Sequence, residues 1–322
     1  QDIFDNEKYK FSGNLLNYYE YMKKNDVFAS YAVVPPQAAR NPDFYQKRNL
    51  PIPTLSVVSE NDKGVVISGM KMLATSAIFA NEIWIGNLIP LAPDQVKQSI
   101  TCVIPCNSNG LSLWMRQPLS NHYDNQFDAP LSWNQDETDV LVMCDKVLVP
   151  WERIFVKDDA IQAREIYFKT PAHCYGNHQS NVRYWSKMEL IVGLCYKVAK
   201  ATGADEVPAV RETLGKMSAL ESTLSGMIYG QIENAENWPK NFKTFNRRIM
   251  YAALNFCTDN YSMIIDELRT LCGGGVFQMP ASIKVMKNKE LLNDFETYFQ
   301  TPQMNALDLS LIHISEPTRR RL

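Results

Sequence analysis

The chain has 322 residues, of which 45% are hydrophobic and 21% are charged, and its formal net charge is -2. This composition is ordinary for a globular protein with a large core, and the lack of a basic stripe argues against nucleic-acid binding. The sequence contains no run of about 20 apolar residues that would span a membrane. Its seven cysteines are scattered and odd in number, which predicts reduced thiols in a cytoplasmic protein and no metal site.

Residues 10–25 predict one amphipathic helix. Leu15, Leu16, Tyr19 and Met22 recur at helical spacing along it. We expect residues 1–26 to be the remnant of a larger N-terminal helical domain.

Residues 27–158 predict a β domain. Short runs rich in β-branched residues alternate with turn signals, and no helix-length periodic segment interrupts them. Residues 61–64 (NDKG) are typical of a hairpin turn because glycine adopts positive φ without strain. Residues 107–110 (NSNG) predict a second hairpin. The block as a whole predicts an antiparallel β-barrel or a sandwich.

Residues 159–308 predict a helical bundle. Apolar residues repeat every three or four positions along three stretches that begin at Met188, Val210 and Ile249. The glycines at 273–275 predict the end of the third helix, and a shorter helix is expected over residues 289–299. Residues 309–322 resemble the translation of a sequencing adaptor, so we expect them to be a non-native tail.

The order of these regions predicts the fold class. Helices, then a β domain, then a helical bundle make an α+β protein. This order resembles the layout of the acyl-CoA dehydrogenase-like fold, and the resemblance implies a flavin between the β domain and the bundle. Because a fold does not define a function, the residues have to support the flavin.

Two segments of the β domain carry polar residues at strand ends. In residues 31–40 (YAVVPPQAAR), a diproline forms a rigid corner that presents Gln37 and Arg40. The plain alternative for this corner is a surface strand end with solvated polar groups. In residues 69–86, the hydroxyl of Thr75 could bond a flat heterocycle, or it could satisfy its own turn.

Four acids lie among apolar strand residues near the end of the β domain. They are Asp136, Glu137, Asp139 and Asp145. Their spacing favours solvated or turn-capping carboxylates over a catalytic pair.

A polar cluster lies at the predicted start of the first long helix. Residues 176–187 (GNHQSNVRYWSK) contain His178, Gln179 and Arg183. Backbone amides at a helix N-terminus together with an arginine are able to bind a pyrophosphate. An exposed polar helix start is the alternative.

Together these segments resemble the 4-hydroxyphenylacetate 3-hydroxylase family, in its oxygenase component. The motifs that carry the resemblance are PPQAAR, VVISGMKMLAT, QDETDVLVMCDKVLVPWERI and HQSNVR. The resemblance implies a two-component enzyme, in which a separate NAD(P)H:flavin reductase supplies FADH2. The oxygenase would react this flavin with O2 to a C4a-hydroperoxide and hydroxylate a phenol such as 4-hydroxyphenylacetate. It also implies a homotetramer.

The resemblance implies roles for individual residues. The phenol would contact Tyr31, Ile89 and Pro90, with Tyr31 as the catalytic residue. The flavin would contact Tyr31, Ala32, Val33, Gln37, Ala38, Ala39, Arg40, Thr75, His178, Gln179 and Arg183.

Two positions depart from the family pattern, which has a histidine where Tyr31 stands and an asparagine where Pro35 stands. A tyrosine, with an ordinary pKa of about 10, donates a hydrogen bond but is a poor base at neutral pH. We therefore expect the substrate to be a different phenol from that of the relatives.

Three other functions are alternatives for a sequence of this kind. An acyl-CoA dehydratase of the same fold would need cysteine and histidine ligands for an iron–sulfur cluster, and no cysteine follows His178 closely. An acyl-CoA dehydrogenase would need a carboxylate base inside the bundle, where no acid stands out. A bundle that only self-associates would not explain the polar groups at the predicted domain edges.

Overall fold

A computed structural model of the protein describes residues 2–274, 280 and 282–299. Contacts divide the chain into two compact units. One comprises Gln1–Pro118 with Glu137–Thr170, and the other comprises Leu119–Asp136 with Pro171–Leu322. The predicted tail at 309–322 lies outside the described residues, and the domain boundaries predicted at 26, 158 and 308 stay predictions.

The helix predicted over residues 10–25 is α1, Ser12–Asn25. The side-chain amide of Asn14, on this helix, donates to the main-chain oxygens of Trp151 at 2.7 Å and Ile154 at 2.9 Å. These bonds tie the helix to the strands of the first unit. Two shorter helices also belong to this unit, α2 (Pro42–Gln46) and α4 (Gln162–Phe168).

The described strands of the first unit form two four-stranded sheets. The order is β1-β4-β5-β8 in one and β2-β3-β7-β6 in the other. The bounds are Ala29–Ala32 (β1), Ser56–Asn61 (β2), Gly64–Lys71 (β3), Glu82–Ile85 (β4), Thr101–Pro105 (β5), Leu111–Met115 (β6), Val140–Pro150 (β7) and Ile154–Val156 (β8).

The pairing of β1 differs from the antiparallel prediction. It lies parallel to β4, whereas the other described pairs of these sheets are antiparallel. Because parallel strands end at the same edge, the segments that follow β1 and β4 emerge side by side. An apolar core between the sheets includes Leu55, Ile67 and Ile104, all fully or almost fully buried.

The two predicted hairpins have different outcomes. Residues 61–64 join the paired strands β2 and β3, and Asn61 Oδ1 accepts from the backbone N–H of Lys63 at 2.9 Å. The hairpin predicted at residues 107–110 is wrong, because β5 and β6 pair in different sheets. The NSNG segment is a corner between sheets, where Gly110 takes a φ of +85° against the carbonyl of Asp145.

The second unit is a helical bundle, as predicted. Its long helices are α5 (Ala172–Thr202), α6 (Pro208–Glu233) and α7 (Arg247–Cys272). Their apolar stripes form a core with Met188, Leu224 and Ile264 at its centre. Gly273 caps α7 with a φ of +55°, and Gly275 lies outside the described residues. The last described helix is Lys289–Tyr298, and a short β-ribbon joins Glu236–Trp238 (β9) to Phe242–Thr244 (β10).

A segment inside the predicted β region packs with this bundle unit. Residues 119–136 lie between β6 and β7 in sequence and include the short helix α3, Pro130–Gln135. Asp128 anchors them, because its carboxylate accepts from Ser282 Oγ at 2.6 Å and from the N–H of Ile283 at 2.7 Å. Sequence spacing alone did not indicate this excursion.

Candidate active site

Three predicted segments of the first unit meet at one edge of its sheets. The parallel register pairs Tyr31 with Trp84, and the carbonyl of Ala32 accepts from Gly86 N at 3.2 Å just beyond it. On the other side, the carbonyl of Val34 accepts from Met72 N at 2.8 Å. The exit of β1 therefore lies between the segment that follows β3 and the segment that follows β4.

Tyr31 lies at this edge with 46% of its surface exposed, between the buried residues Ser30 and Ala32. Desolvation of the phenol, with a smaller contribution from neighbouring Tyr167, raises the pKa of Tyr31 to about 12. The hydroxyl therefore stays protonated at neutral pH and acts as a hydrogen-bond donor.

The diproline corner leads into a short turn. Pro36 is buried, and a single 3-10 turn, Gln37–Arg40, follows it directly. Ala39 N donates to the carbonyl of Pro36 at 3.0 Å. Both Gln37 and Arg40 are exposed, which is compatible with a ligand-facing corner and with a solvated strand end.

Thr75 lies in a strained stretch after β3. Leu73 and Ser76 flank it in the left-handed region with φ of +61° and +59°. Such backbone in a bulky residue such as leucine is uncommon and concentrates at functional sites. Ser30 Oγ donates to the carbonyl of Thr75 at 2.8 Å, which ties this stretch to β1 beside Tyr31.

Across from this stretch lies Asp139, directly before β7. Thr75 Oγ1 donates to Asp139 Oδ1 at 2.9 Å. The carboxylate side chain is 42% exposed, so it is solvated, as its spacing had favoured, and it also accepts this hydrogen bond. Its other oxygen, Oδ2, lies 3.8 Å from Arg116 Nε. Of the remaining acids in that group, Asp136 accepts from Leu119 N at 2.8 Å in the second unit, and Asp145 is exposed.

Ile89 and Pro90 lie on the segment that follows β4, whose base is closed by buried polar groups. Lys71 Nζ, at the end of β3, donates to Asn87 Oδ1 at 2.9 Å. Asn87 Nδ2 in turn lies 3.2 Å from the carbonyls of Gln98 and Ile100. Asn87 thus joins both ends of the segment that carries the two predicted substrate residues.

His178, Gln179 and Arg183 belong to the second unit and lie inside α5, not at its start. The helix begins at Ala172, so these residues come after the first turn, where backbone N–H groups bond within the helix. His178 Nδ1 lies 2.9 Å from Gln231 Oε1 and its ring stacks on Phe245. An anion site built from helix N-terminal amides is therefore not available at these residues.

Sequence reasoning missed Ser30, Lys71 and Asn87, and it did not assign Asp139 its partner. A lysine in a strand of otherwise apolar residues was the available signal for Lys71, while the contact of Asp139 depends on strand register. All seven cysteines are unpaired, and six are buried. Among the described residues, no three His, Cys, Asp or Glu side chains are placed to hold a metal ion, and no helix is long and apolar enough to cross a membrane.

The fold is that of the acyl-CoA dehydrogenase class. An acyl-CoA dehydrogenase from Geobacillus kaustophilus superposes with a TM-score of 0.55 at 13% identity, over 77% of this chain and 59% of that one. An archaeal 4-hydroxybutyryl-CoA dehydratase from N. maritimus superposes with a TM-score of 0.82 at 17% identity, over 95% of this chain and 61% of that one. At these identities the likeness concerns the fold alone.

Within that class, the chain belongs to the 4-hydroxyphenylacetate 3-hydroxylase family. The model of the family's N-terminal region matches residues 1–156, and the model of its C-terminal region matches residues 163–308. The predicted family is thereby confirmed.

Several characterised relatives are similar to this chain. The 4-hydroxyphenylacetate 3-monooxygenase oxygenase component of Thermus thermophilus is 28% identical over 84% of this chain and 56% of its own length. The 4-nitrophenol 4-monooxygenase/4-nitrocatechol 2-monooxygenase oxygenase component of Rhodococcus opacus is 28% identical over 84% of this chain and 50% of its own. The chain therefore spans about half the length of these relatives.

A solved structure in the family adds a ligand-bound comparison. The oxygenase component (HpaB) of 4-hydroxyphenylacetate 3-monooxygenase, complexed with FAD and 4-hydroxyphenylacetate, superposes with a TM-score of 0.87 at 27% identity. The superposition covers 97% of this chain and 64% of that one.

Proposed function

We propose that the full-length protein is the oxygenase component of a two-component monooxygenase, which uses reduced FAD and O2 to hydroxylate a phenol. The observation that carries this proposal is the meeting of the Tyr31 corner, the Thr75 stretch and the Ile89–Pro90 segment at one sheet edge. Family membership and the names of the relatives support it.

The donor set at this edge fits a flavin. Leu73 is 52% exposed and offers an apolar surface beside the hydroxyl of Thr75. Sites for flat ligands combine such apolar surface with a few fixed polar groups. Gln37 and Arg40 add an amide and a cation for the polar parts of the cofactor. When bound, reduced FAD would supply the oxygen chemistry, and the chain would supply binding and orientation.

Ala32, Val33, Ala38 and Ala39 would line the flavin from the corner through their backbone and small side chains. Ala32 is fully buried and Val33 is 6% exposed, so these two would support the wall from behind while Ala38 and Ala39 offer the accessible surface. His178, Gln179 and Arg183 stay proposed contacts for the phosphate or adenosine end. The helix interior provides them with side chains only, so any such contact would depend on the imidazole, the amide and the guanidinium.

Tyr31 would act on the phenol as a donor. Because its pKa is about 12, it holds its proton at neutral pH and would donate a hydrogen bond to the phenolic oxygen of the substrate. Ile89 and Pro90 would contact the ring, on a segment whose ends are joined by Asn87. The substrate would be a 4-hydroxyphenylacetate-like phenol whose oxygen does not require a histidine.

The partners follow from the same proposal. A separate NAD(P)H:flavin reductase would deliver the reduced cofactor, and the assembled enzyme would be a cytoplasmic homotetramer. The alternative of an acyl-CoA dehydratase or dehydrogenase is supported only by the shared fold. A dehydrogenase would need a carboxylate base inside the bundle, whereas Glu189 and Glu233 are exposed and Glu221 and Glu267 are half-buried.

The test is a coupled assay on the full-length protein with FAD, NADH, a flavin reductase and candidate phenols. We expect hydroxylated product, quantified by liquid chromatography against the NADH consumed. The variant Tyr31→Phe should lower product per NADH by roughly five-fold, the value of one lost hydrogen bond, and should lower reduced-flavin affinity by less than that.

The matched control is Tyr19→Phe, since Tyr19 is an exposed tyrosine on α1. It should leave the product yield at the wild-type level. A full-length protein that binds no reduced flavin would overturn the proposal, and an unchanged yield in Tyr31→Phe would remove Tyr31 from the substrate contacts.

A further inference from the structure

Asp139 is held opposite Thr75 by the backbone on both sides of the pair. Ala74 N donates to the carbonyl of Val140 at 3.1 Å, and Ser76 N donates to the carbonyl of Thr138 at 2.8 Å. These two bonds bracket the contact between Thr75 Oγ1 and Asp139 Oδ1. The backbone therefore holds the two residues opposite each other, within reach of this side-chain bond.

A third segment bonds the backbone around Asp139 and places a cation near its carboxylate. Arg116 N donates to the carbonyl of Asp139 at 3.1 Å, and Arg116 Nη2 donates to the carbonyl of Glu137 at 2.6 Å. Arg116 Nε lies 3.8 Å from Asp139 Oδ2. One oxygen of Asp139 thus faces a cation, and the other faces the hydroxyl of Thr75.

The hydrogen-bond inventory of the pair allows one direction. An ionised carboxylate only accepts, whereas a threonine hydroxyl has one proton to donate and two lone pairs that accept. When Thr75 donates its proton to Asp139, only the lone pairs of Oγ1 remain for a ligand. Thr75 is exposed, so a ligand at this edge would meet an acceptor there.

We propose that Asp139 is a positioning residue that makes Thr75 an acceptor, and that this contact selects reduced over oxidised flavin. The inference rests on the proposed function, in which Thr75 contacts the flavin, and it places that contact at the edge of the ring that reacts with O2. That edge carries N5, which is an N–H donor in the reduced ring and an unprotonated acceptor in the oxidised ring. An acceptor at Thr75 therefore pairs with the reduced ring and faces a second acceptor in the oxidised one.

The experiment measures the dissociation constants of FAD and of anaerobically reduced FAD for the full-length protein and its variants. Wild type should bind reduced FAD more tightly. In Asp139→Asn, we expect the amide oxygen to face the Arg116 cation and the amide N–H to face Thr75, which frees the Thr75 proton. The preference for reduced FAD should then fall by roughly five-fold, the value of one hydrogen bond. For a two-electron couple, this lowers the midpoint potential of the bound flavin by about 20 mV.

Three further variants separate this role from a general structural one. Asp139→Ala should also lower the preference. Thr75→Val should lower it, and adding Asp139→Asn to Thr75→Val should then change nothing, because the two residues act through one contact. Asp145→Asn removes the same charge from an exposed position on β7 and should keep the wild-type preference.

Two outcomes are distinguishable. If the variants bind both forms of FAD with the wild-type ratio of affinities, the role of Asp139 is overturned while the proposed function stands. If the wild-type protein binds neither form, the proposed function falls and this inference falls with it.

Discussion

Lys71 is a buried charge within the first unit. Only 2% of the residue is exposed, and its ammonium donates to Asn87. Burial lowers the pKa of Lys71 to about 8. The thiol of Cys144 on β7 is also buried, and burial raises its pKa to about 12. Burial likewise raises the pKa of the Cys102 thiol of β5, so both thiols are neutral and the ammonium has no ionised partner among these groups.

The free energy of unfolding should report this burial through its dependence on pH. Between pH 8 and about 10.5, the unfolded chain keeps a proton on Lys71 that the folded chain has released, so stability rises with pH across this window. Below pH 8 the ammonium is charged in both states, so the free energy of unfolding is lowered by the full cost of burying it. Relative to Lys71→Met, wild type should therefore gain up to about 3 kcal/mol from pH 8 to 10.5, measured by urea denaturation.

The matched control for Lys71 is Lys63, an exposed lysine in the turn between β2 and β3. Lys63→Met removes no buried ammonium, so its stability should run parallel to that of wild type over the same pH range. A constant difference between wild type and Lys71→Met would show that the ammonium is not desolvated in the folded protein.

At the scale of elements, β3 is shaped by a close approach at Gly69. The register of β3 against β7 shifts between Ile67 and Gly69, and Gly69 takes a φ of +117°. A Cβ atom at this position would lie 2.3 Å from the carbonyl oxygen of Thr54. The bulge at this point precedes the turn of the chain into the Thr75 stretch, so it helps to place the candidate site.

Gly69→Ala should lower the free energy of unfolding by about 3 kcal/mol, because both the backbone conformation and the contact with Thr54 become unfavourable. The same substitution at Gly215, inside α6 with no atom within 4 Å of a new Cβ, should raise it by about 0.5–1 kcal/mol. Chemical denaturation measures both. Equal effects of the two substitutions would contradict the close approach at Gly69.

At the scale of the whole molecule, each unit has a core of its own. The bundle core contains Leu224 and Ile228 of α6, whereas the cores of the first unit draw on its strands and α1. Leu224 is fully buried, so its truncation leaves a cavity that the helices fill only in part.

Leu224→Ala should lower the stability of the bundle by about 3 kcal/mol, and Ile228→Val by about 1 kcal/mol. Hydrogen exchange of the α6 and α7 amides is the measurement, since it reports local opening. Amides of β3 and β7 should lose less protection than those of α6. An equal loss in both units would show that the two cores unfold as one.

Much of this organisation could be predicted from sequence. The helices α1, α5, α6 and α7 and the strand-rich block follow from apolar spacing, which reports burial within one element. The hairpin at residues 61–64 follows from turn chemistry. The hairpin predicted at 107–110 was wrong because the same turn residues also serve a corner between sheets, and local composition does not state which strands pair afterwards.

The candidate site was predictable in part. The positions of Tyr31, Thr75 and Ile89 came from motifs, and the structure brings their segments to one edge. His178 was predicted at a helix start but lies after the first turn, because the helix begins at Ala172 without a side-chain cap to mark it in the sequence. Asp139 was predicted to be a solvated acid, and its side chain is indeed 42% exposed, but its bond to Thr75 was not predicted because the two residues are distant in sequence.

By itself, the sequence determined the class of each region, the family, and the rigid corner with its amide and guanidinium, because each depends on residues close together in the chain. Only the tertiary structure decided that Thr75 donates to Asp139, 64 positions away, and that Lys71 reaches Asn87, 16 positions away. Strand register and burial set these contacts, and neither is a property of a local segment. The hydroxyl of Thr75 is visible in the sequence, but the direction of its hydrogen bond is a product of the fold.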